Sequence, residues 1–481
     1  MNENPFSLSM HTVIAASPLL GHELEDRATI RSAQDPQMLD RIRCSCATPL
    51  RSGSQQDLFS VAPLDLLVSS HKSEKQFHLL ELNGTGIGGL TNLTADALSP
   101  ILDGLRRLAT APTSATPLIL IASSGKESEQ NPRLNRLLHE KLLYADAIRH
   151  GFIERGSDAS VFAMPTLAAD ASSLDNDAPA IVVGYIKDFL AHLRVDADGT
   201  LLLLGREVTG AVNDRFFLNV LDHCSGTIDL SRLAIMNRCF AAGADKGIAY
   251  DLLNDFVQTH DVPGFPKRVD FEICFSRDEL IQTVFDWRSW GLQPVIKPHG
   301  TGLGHGIEFF LKNESDASVI QKVTRSMKLT EEYYAVPGGA FPYTVCQYVD
   351  ADRVNRPGHR LHDHKYEIRV VVYRDETLLR AYPSIVKVAC EPCHLAQNGP
   401  TGLINNITAS CVRTRAKGTD FMFPLANRET LDLFGLKERD IAAACRAATG
   451  YVRFVLDQVE DSPERLGLPS SNAERGVTVA V

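Results

Sequence analysis

Four short apolar runs lie within residues 110–210: PLILIAS (117–123), SVFAM (160–164), AIVVGY (180–185) and TLLLLG (200–205). PLILIAS reads as a buried strand and the other three as further strands. NRLLHEKLLYADAIRHGF (135–152) repeats apolar residues at helical spacing, and further helical stretches lie among the other runs. Buried strands alternating with helices predict a largely parallel sheet, placing the chain in the α/β class.

The flanks carry other patterns. VAPLDLLV (61–68) and QFHLLEL (76–82), joined by polar SSHKSEK, predict a β-hairpin, followed by a helix over 97–108. Asp245-Lys246 opens a helix to Val257, and the capping box at Ser276–Glu279 opens another to Trp290. QPVIKP enters the loop HGTGLGHG (299–306), IEFFL leaves it, and YTVCQYV (343–349) is a further strand. Residues 366–389 predict a hairpin turning at Asp375-Glu376, and 437–458 an amphipathic helix. Residues 1–56 are weakly patterned, and the tail from Asp461 is polar.

The 481 residues suffice for two or three lobes. A net charge of −10 without a sustained Lys/Arg block argues against nucleic-acid or membrane-surface partners. No apolar run approaches the length of a membrane span, and the first residues lack the basic start of a signal peptide. A cytoplasmic protein with ten reduced cysteines is therefore expected. Cys390 and Cys393, within a C-x-x-C-H sequence, are read as loop thiols ahead of a metal, redox or haem role.

The loop at 299–306 is the strongest chemical signal. Lys297 ends a strand and Gly300, Gly302, Gly304 and Gly306 follow, so backbone N–H groups can turn toward an anion beside a compact positive charge. Strands on both sides make this a hairpin lid rather than a helix-opening phosphate loop; a plain glycine turn with a surface lysine is the alternative. PVIKPHGTGLGHGI resembles the lysine-plus-glycine lid of ATP-grasp enzymes, and three further segments stand in the family's order. Asp245-Lys246 is similar to the segment carrying the first nucleotide lysine. Val345–Val349 is similar to the adenine-binding strand, with Gln347 where Glu is commoner. Tyr366–Val371 is similar to the strand whose arginine touches the transferring phosphate. The resemblance implies ATP bound by Lys246, Lys297, Gly302, Gly304, Gln347, Val349 and Asp352 (or Asp350), with Arg369, Lys297 and Asn406 catalytic.

The family's chains end in a hairpin with an Asp and then Glu-x-Asn that bind magnesium. Here the chain stops after the helix at 437–458, but Asp65 and HLLELN with Glu81 and Asn83 stand near the N-terminus. Alternation puts Glu81 and Asn83 on one strand face, and such hard oxygen donors suit Mg²⁺ or Mn²⁺. A circular permutation follows. Its parts are an N-terminal segment (1–56), the metal hairpin (57–95), an α/β lobe (96–244), a lid subdomain (245–349), a C-terminal subdomain (350–460) and a tail (461–481). The resemblance implies a carboxylate–amine ligase acting through an acyl phosphate, with ADP and phosphate released. Its partners would be a small carboxylate and an amine, amino acid or peptide, and the chain is compatible with a homodimer. Two rivals remain: an NAD(P)-binding oxidoreductase built on GTGIGG (84–89) and a non-catalytic ATP-binding module. His359, His362 and His364 read as a polar loop ahead of a zinc site. His299 and His305 are expected to touch phosphate or face water, and Arg413 or Arg415 to hold a substrate carboxylate or stay solvated.

Overall fold

A computed structural model describes residues 28–51, 58–72, 74–84, 90–111, 114, 116–123, 136–174, 177–212, 224, 228–237, 239–266, 268–301, 304–334, 339–394 and 418–466. Helices of ten residues or more are numbered below. Helix α1 (Pro36–Ser45) and strand β1 (Thr48–Pro49) precede the hairpin of β2 (Val61–His71) and β3 (Glu74–Leu82). Helix α2 (Ala95–Arg106) leads to β4 (Leu118–Ser123), α3 (Arg136–Glu154), β5 (Ser160–Ala163) and β6 (Ala180–Tyr185). Next come β7 (Leu193–Val195), β8 (Leu201–Leu203), β9 (Arg206–Glu207), β10 (Gly210–Val212) and β11 (Ala234–Met236).

Helix α4 (Lys246–Thr259) then precedes β12 (Phe271–Cys274), α5 (Arg277–Ser289), β13 (Pro294–Pro298), β14 (Glu308–Phe309), α6 (Asp316–Tyr334) and β15 (Tyr343–Gln347). The long hairpin of β16 (Tyr366–Asp375) and β17 (Leu378–Val388) follows, with β18 (Met422–Pro424) and α7 (Glu438–Asp461) last.

The expected parallel sheet is present, in the order β11-β10-β4-β6-β5 with every pairing parallel. Its membership differs from expectation. TLLLLG contributes β8 to a separate antiparallel β7-β8-β9 sheet, while β10 and β11 join the parallel one. In β8, Leu202 is half-buried between buried Leu201 and Leu203.

The central sheet, β1-β17-β16-β2-β3 with β18 on β17, is antiparallel and joins the N-terminal hairpin to the 366–388 hairpin. Leu64, Leu66 and Val68 of β2 are buried, each contributing about 1.5–3 kcal/mol through lost apolar exposure. Helix α1, on residues that carried no clear pattern, buries Met38, Leu39 and Ile42 and is N-capped by Asp35. Asn237, just past β11 at a left-handed φ of 45°, accepts a bond from the Ser60 N–H at 2.8 Å and donates to the Val61 carbonyl. That clamp ties the parallel lobe to the start of β2.

The sheet β12-β15-β13-β14 has its own core, including Leu280, Val284, Trp287, Ile296, Val319, Val323, Tyr343 and Val345. Helix α4 lies outside it, packing Tyr250, Leu253 and Phe256 into the large core. Glycine is required at Gly306: φ is 73°, and a Cβ there would stand 2.8 Å from Pro298 and Thr330 side chains.

Candidate active site

Antiparallel registry sets Glu81 opposite Asp65, and Asp65 opposite Arg369, so three charged side chains share one face of the central sheet. Two β-bulges flank this row. His71 pairs with Glu74, so an unbroken β2-β3 ladder would set Asp65 opposite Leu80; the bulge after Asp65 sets it opposite Glu81. Asp375 pairs with Leu378, so an unbroken β16-β17 ladder would set Glu367 opposite Val386; the bulge after Arg369 sets it opposite Lys387. The second bulge also accommodates Pro383, which has no N–H for the ladder. Each bulge turns a charged residue onto the face that a one-residue slip would have given to an apolar one.

Asp65 is 1% exposed. Its Oδ1 accepts from Arg369 Nε and its Oδ2 from Arg369 Nη2, both at 2.7 Å, and Lys387 Nζ lies 3.0 Å from Oδ2. Burial pushes this carboxyl up, but Arg369 and then Lys387 more than offset it and hold it well below the usual range. Lys387 also pairs with Glu367, whose carboxyl burial pushes up to about 7 against the pull of Lys387. For Arg369, burial opposes the charge and Asp65 restores it, raising the guanidinium above its ordinary value. Asn83 Nδ2 donates to Glu81 at 3.2 Å and to Asp65 at 3.4 Å.

The lid strand reaches this face. Because of the first bulge, the Leu80 carbonyl lies outside regular ladder pairing. It accepts from the Tyr250 hydroxyl of α4 at 3.2 Å and from Lys297 Nζ at 3.3 Å. Lys297, 4% exposed, also donates to the Tyr250 hydroxyl at 2.5 Å. Burial pushes the Lys297 amine down, but Cys346 and Tyr250 more than offset it and raise it, so it stays charged at neutral pH. Lys297, Glu81, Asp65 and Arg369 thus form one cluster spanning β13, β3, β2 and β16.

The second lysine stands nearby. Asp245 caps α4, its Oδ1 accepting from Gly247 and Ile248 N–H at 2.7 and 3.1 Å. Its Oδ2 lies 2.8 Å from His299 Nδ1, and Lys246 Nζ donates to the Thr301 carbonyl at 3.2 Å. His299 therefore latches the root of the glycine loop to the α4 N-terminus through its Nδ1. The Asp245 carboxyl, pushed up by burial, is lowered overall by His299 and the helix N–H groups.

The other expected site residues fall differently. Gln347 is exposed at the end of β15, and the Val349 carbonyl accepts from Ala351 N–H at 2.9 Å. Asp352 is bound by Lys75 at 2.6 Å and Ser70 at 2.8 Å, and Asp350 by Lys365 at 2.8 Å. Gly304 is left-handed at φ 73°. Gly302, Asn406, Arg413, Arg415 and the glycines at 86, 88 and 89 lie outside the described residues.

Among the described residues no group of three or more His, Cys, Asp or Glu is arranged to hold a metal, and no helix is long and apolar enough to cross a membrane. His364 Nδ1 lies 2.7 Å from the Ala389 carbonyl, and the His359 ring accepts from Leu361 N–H at 3.2 Å, so this histidine loop is tied to backbone. Cys390 and Cys393 are half-buried thiols outside any disulfide. Residue patterns alone did not single out Lys387, Tyr250 or the Asp245–His299 pair. Only Glu367 left a signal, two residues before Arg369 and so on its strand face.

The fold and this cluster define a mixed α/β protein whose buried ionic site joins two antiparallel hairpins and a glycine-loop subdomain. No family model matches the chain, and no curated protein matches it. Among solved structures, a candidate gamma-glutamylcysteine synthetase from Methylobacillus flagellatus KT is similar at 14% identity and TM-score 0.42, over 92% of this chain and 97% of that one. A glutathione synthetase-like effector from Globodera pallida, in its apo form, is similar at 13% identity and TM-score 0.32, over 78% and 83%.

Proposed function

We propose that the chain is an ATP-dependent carboxylate–amine ligase of the ATP-grasp type, with its metal-binding hairpin moved to the front of the sequence. The observation that carries this reading is the meeting of Lys297 with the Leu80 carbonyl, one residue before Glu81. Elements two hundred residues apart in sequence are in contact there, which supports the permuted order. The dinucleotide alternative is disfavoured, because β3 is an antiparallel edge strand and the next strand, β4, belongs to another sheet.

Lys246 and Lys297 offset charge on the nucleotide phosphates, and Arg369 meets the phosphate as it transfers. A substrate carboxylate displaces ADP from the γ-phosphorus to form an acyl phosphate. An amine then attacks the acyl carbon, phosphate leaves, and the amide remains. The loop at 299–306, latched by His299, excludes water from that step.

Magnesium or manganese fits Glu81, a half-buried carboxylate, and Asn83, a buried amide two residues on. When bound, the ion would supply positive charge against the nucleotide phosphates. Asp65 is held by Arg369 and Lys387, so Glu81 and Asn83 would be the first residues to take the ion, with Asp65 beside them.

The test is phosphate and ADP release from MgATP across paired amino acids and small carboxylic acids, with the amide detected by mass. Release with one pair is expected. ATP binding without release for any pair overturns the ligase reading in favour of a binding module, and absence of ATP binding overturns both.

A further inference from the structure

Asp65 and Glu81 stand opposite each other on the sheet face, yet their surroundings differ. Asp65 is 1% exposed and carries two cations, Arg369 on both oxygens at 2.7 Å and Lys387 Nζ at 3.0 Å. Glu81 is half-buried and has no ion-pair partner among the described residues; the neutral Asn83 amide donates to it at 3.2 Å. Of two facing carboxylates, one has its charge answered and the other does not. A divalent cation is drawn to the second, whereas at Asp65 it would meet two positive charges already in place.

The Arg369 contact has a specific form. Nε and Nη2 meet the two carboxylate oxygens side by side, a fork that fixes the plane and direction of the guanidinium as well as its place. Two of its five N–H groups are used, which leaves both on Nη1 and one on Nη2 for a phosphate. The Arg369 side chain keeps 15% exposure against 1% for Asp65, so solvent reaches the arginine from a side other than the carboxylate's. Asp65 is itself held in place: Lys387 grips Oδ2 and is tied to Glu367, its cross-strand neighbour.

We propose that Asp65 is a positioning residue for Arg369 rather than a ligand of the divalent cation, which falls to Glu81 and Asn83. Asp65 keeps the guanidinium in one orientation, with its three remaining N–H groups ready for the γ-phosphate. This deepens the ligase reading above and rests on it. Asp65 touches neither nucleotide nor ion and acts through the arginine.

The experiment uses the full chain and reads two quantities by calorimetry: the MgATP-to-MgADP affinity ratio at saturating Mg²⁺, and the Mg²⁺ concentration that half-restores ADP binding. The γ-phosphate is present in ATP and absent from ADP, so the wild-type ratio should favour ATP on the order of tenfold or more. Asp65→Asn should collapse that ratio toward the Arg369→Met value with the Mg²⁺ midpoint within about twofold of wild type, while Glu81→Gln raises the midpoint by about tenfold or more. Asp65→Asn combined with Arg369→Met should lose no more of the ratio than Arg369→Met alone. Where Asp65→Asn does not fold, as read by thermal melting, Asp65→Glu, which keeps the charge and moves the carboxylate out by a methylene, is read in the same way. A ratio kept in the Asp65 variant, with both nucleotides weakened together or with the midpoint raised as in Glu81→Gln, overturns the inference and leaves the ligase reading standing. An unchanged ratio in Arg369→Met overturns the assignment of Arg369 to the phosphate and this inference with it, and absence of ATP binding in the wild type overturns the ligase reading itself and all that rests on it.

Discussion

Lys297→Met separates a binding role from a structural one. The amine lies among Tyr250, Leu80 and Cys346 and makes two described hydrogen bonds, to the Tyr250 hydroxyl and the Leu80 carbonyl. Removing it orphans neither group, because Tyr250 still donates to Leu80 at 3.2 Å. Each lost bond costs about 0.5–1.5 kcal/mol, and release of a desolvated cation offsets much of that. Methionine fills the space of the lysine stem. Net stability should therefore change by no more than about 1 kcal/mol, a melting shift of roughly 2–4 °C or less. Binding should respond differently, since a charged hydrogen bond to phosphate is worth about 1.5–3 kcal/mol, or roughly 10–150-fold in MgATP affinity. Calorimetric titration with MgATP and thermal melting on the same preparation check both. A melting temperature lowered by more than about 5 °C with MgATP affinity within about twofold of wild type refutes the reasoning.

Glu367→Gln tests the raised carboxyl. With its folded value near 7 against an ordinary 4.5, the folded chain holds a proton that the unfolded chain has released across that window. The resulting stability is present below the ordinary value and lost as pH rises through about 7, on the order of 3 kcal/mol in all. Melting from pH 5 to 8 should fall less steeply in the variant, and equal slopes count against the assignment. Asp65, depressed instead, loses its contribution only in strong acid and does not mask this. Glu81→Gln should weaken Mg²⁺ dependence of ATP binding by about 10–100-fold while leaving melting nearly unchanged, and an unaltered Mg²⁺ titration counts against a metal there. Asp245→Ala should cost about 1–2 kcal/mol in urea unfolding through the lost helix cap, with Asp245→Asn recovering most of it; equal losses point to the His299 pair instead.

Both hairpins of the central sheet were legible because their strands are long, apolar and separated by short polar turns, and β2, β3, β16 and β17 lie where the pattern puts them. Helix α6 was not assigned from pattern for a physical reason. Its core stripe is partly hydroxylic: buried Ser326 and Thr330 bond with Tyr343 and the Gly306 and Met327 carbonyls, which blurs the apolar period of Val319 and Val323. Helix α1 buries three side chains in ten residues, too few for a period to stand out. TLLLLG misled because a continuous apolar run does not reveal which sheet receives it; β8 pairs only with its sequence neighbours.

The site was half legible for a related reason. Alternation within a strand relates Glu81 to Asn83 and Glu367 to Arg369, since residues two apart share a face whatever the register. It does not relate one strand to the next, and here two bulges decide that. Without them Leu80 and Val386 would stand opposite Asp65 and Glu367. The buried Asp65 would lose Lys387, and the Leu80 carbonyl would no longer lie free of the ladder for Tyr250 and Lys297. The same two insertions thus assemble the ionic row and open the docking point for the lid strand. Deleting Leu80 should therefore keep Glu81 opposite Asp65 while removing the carbonyl that Tyr250 and Lys297 share, so MgATP affinity should fall through the lost lid contact with the ionic row intact.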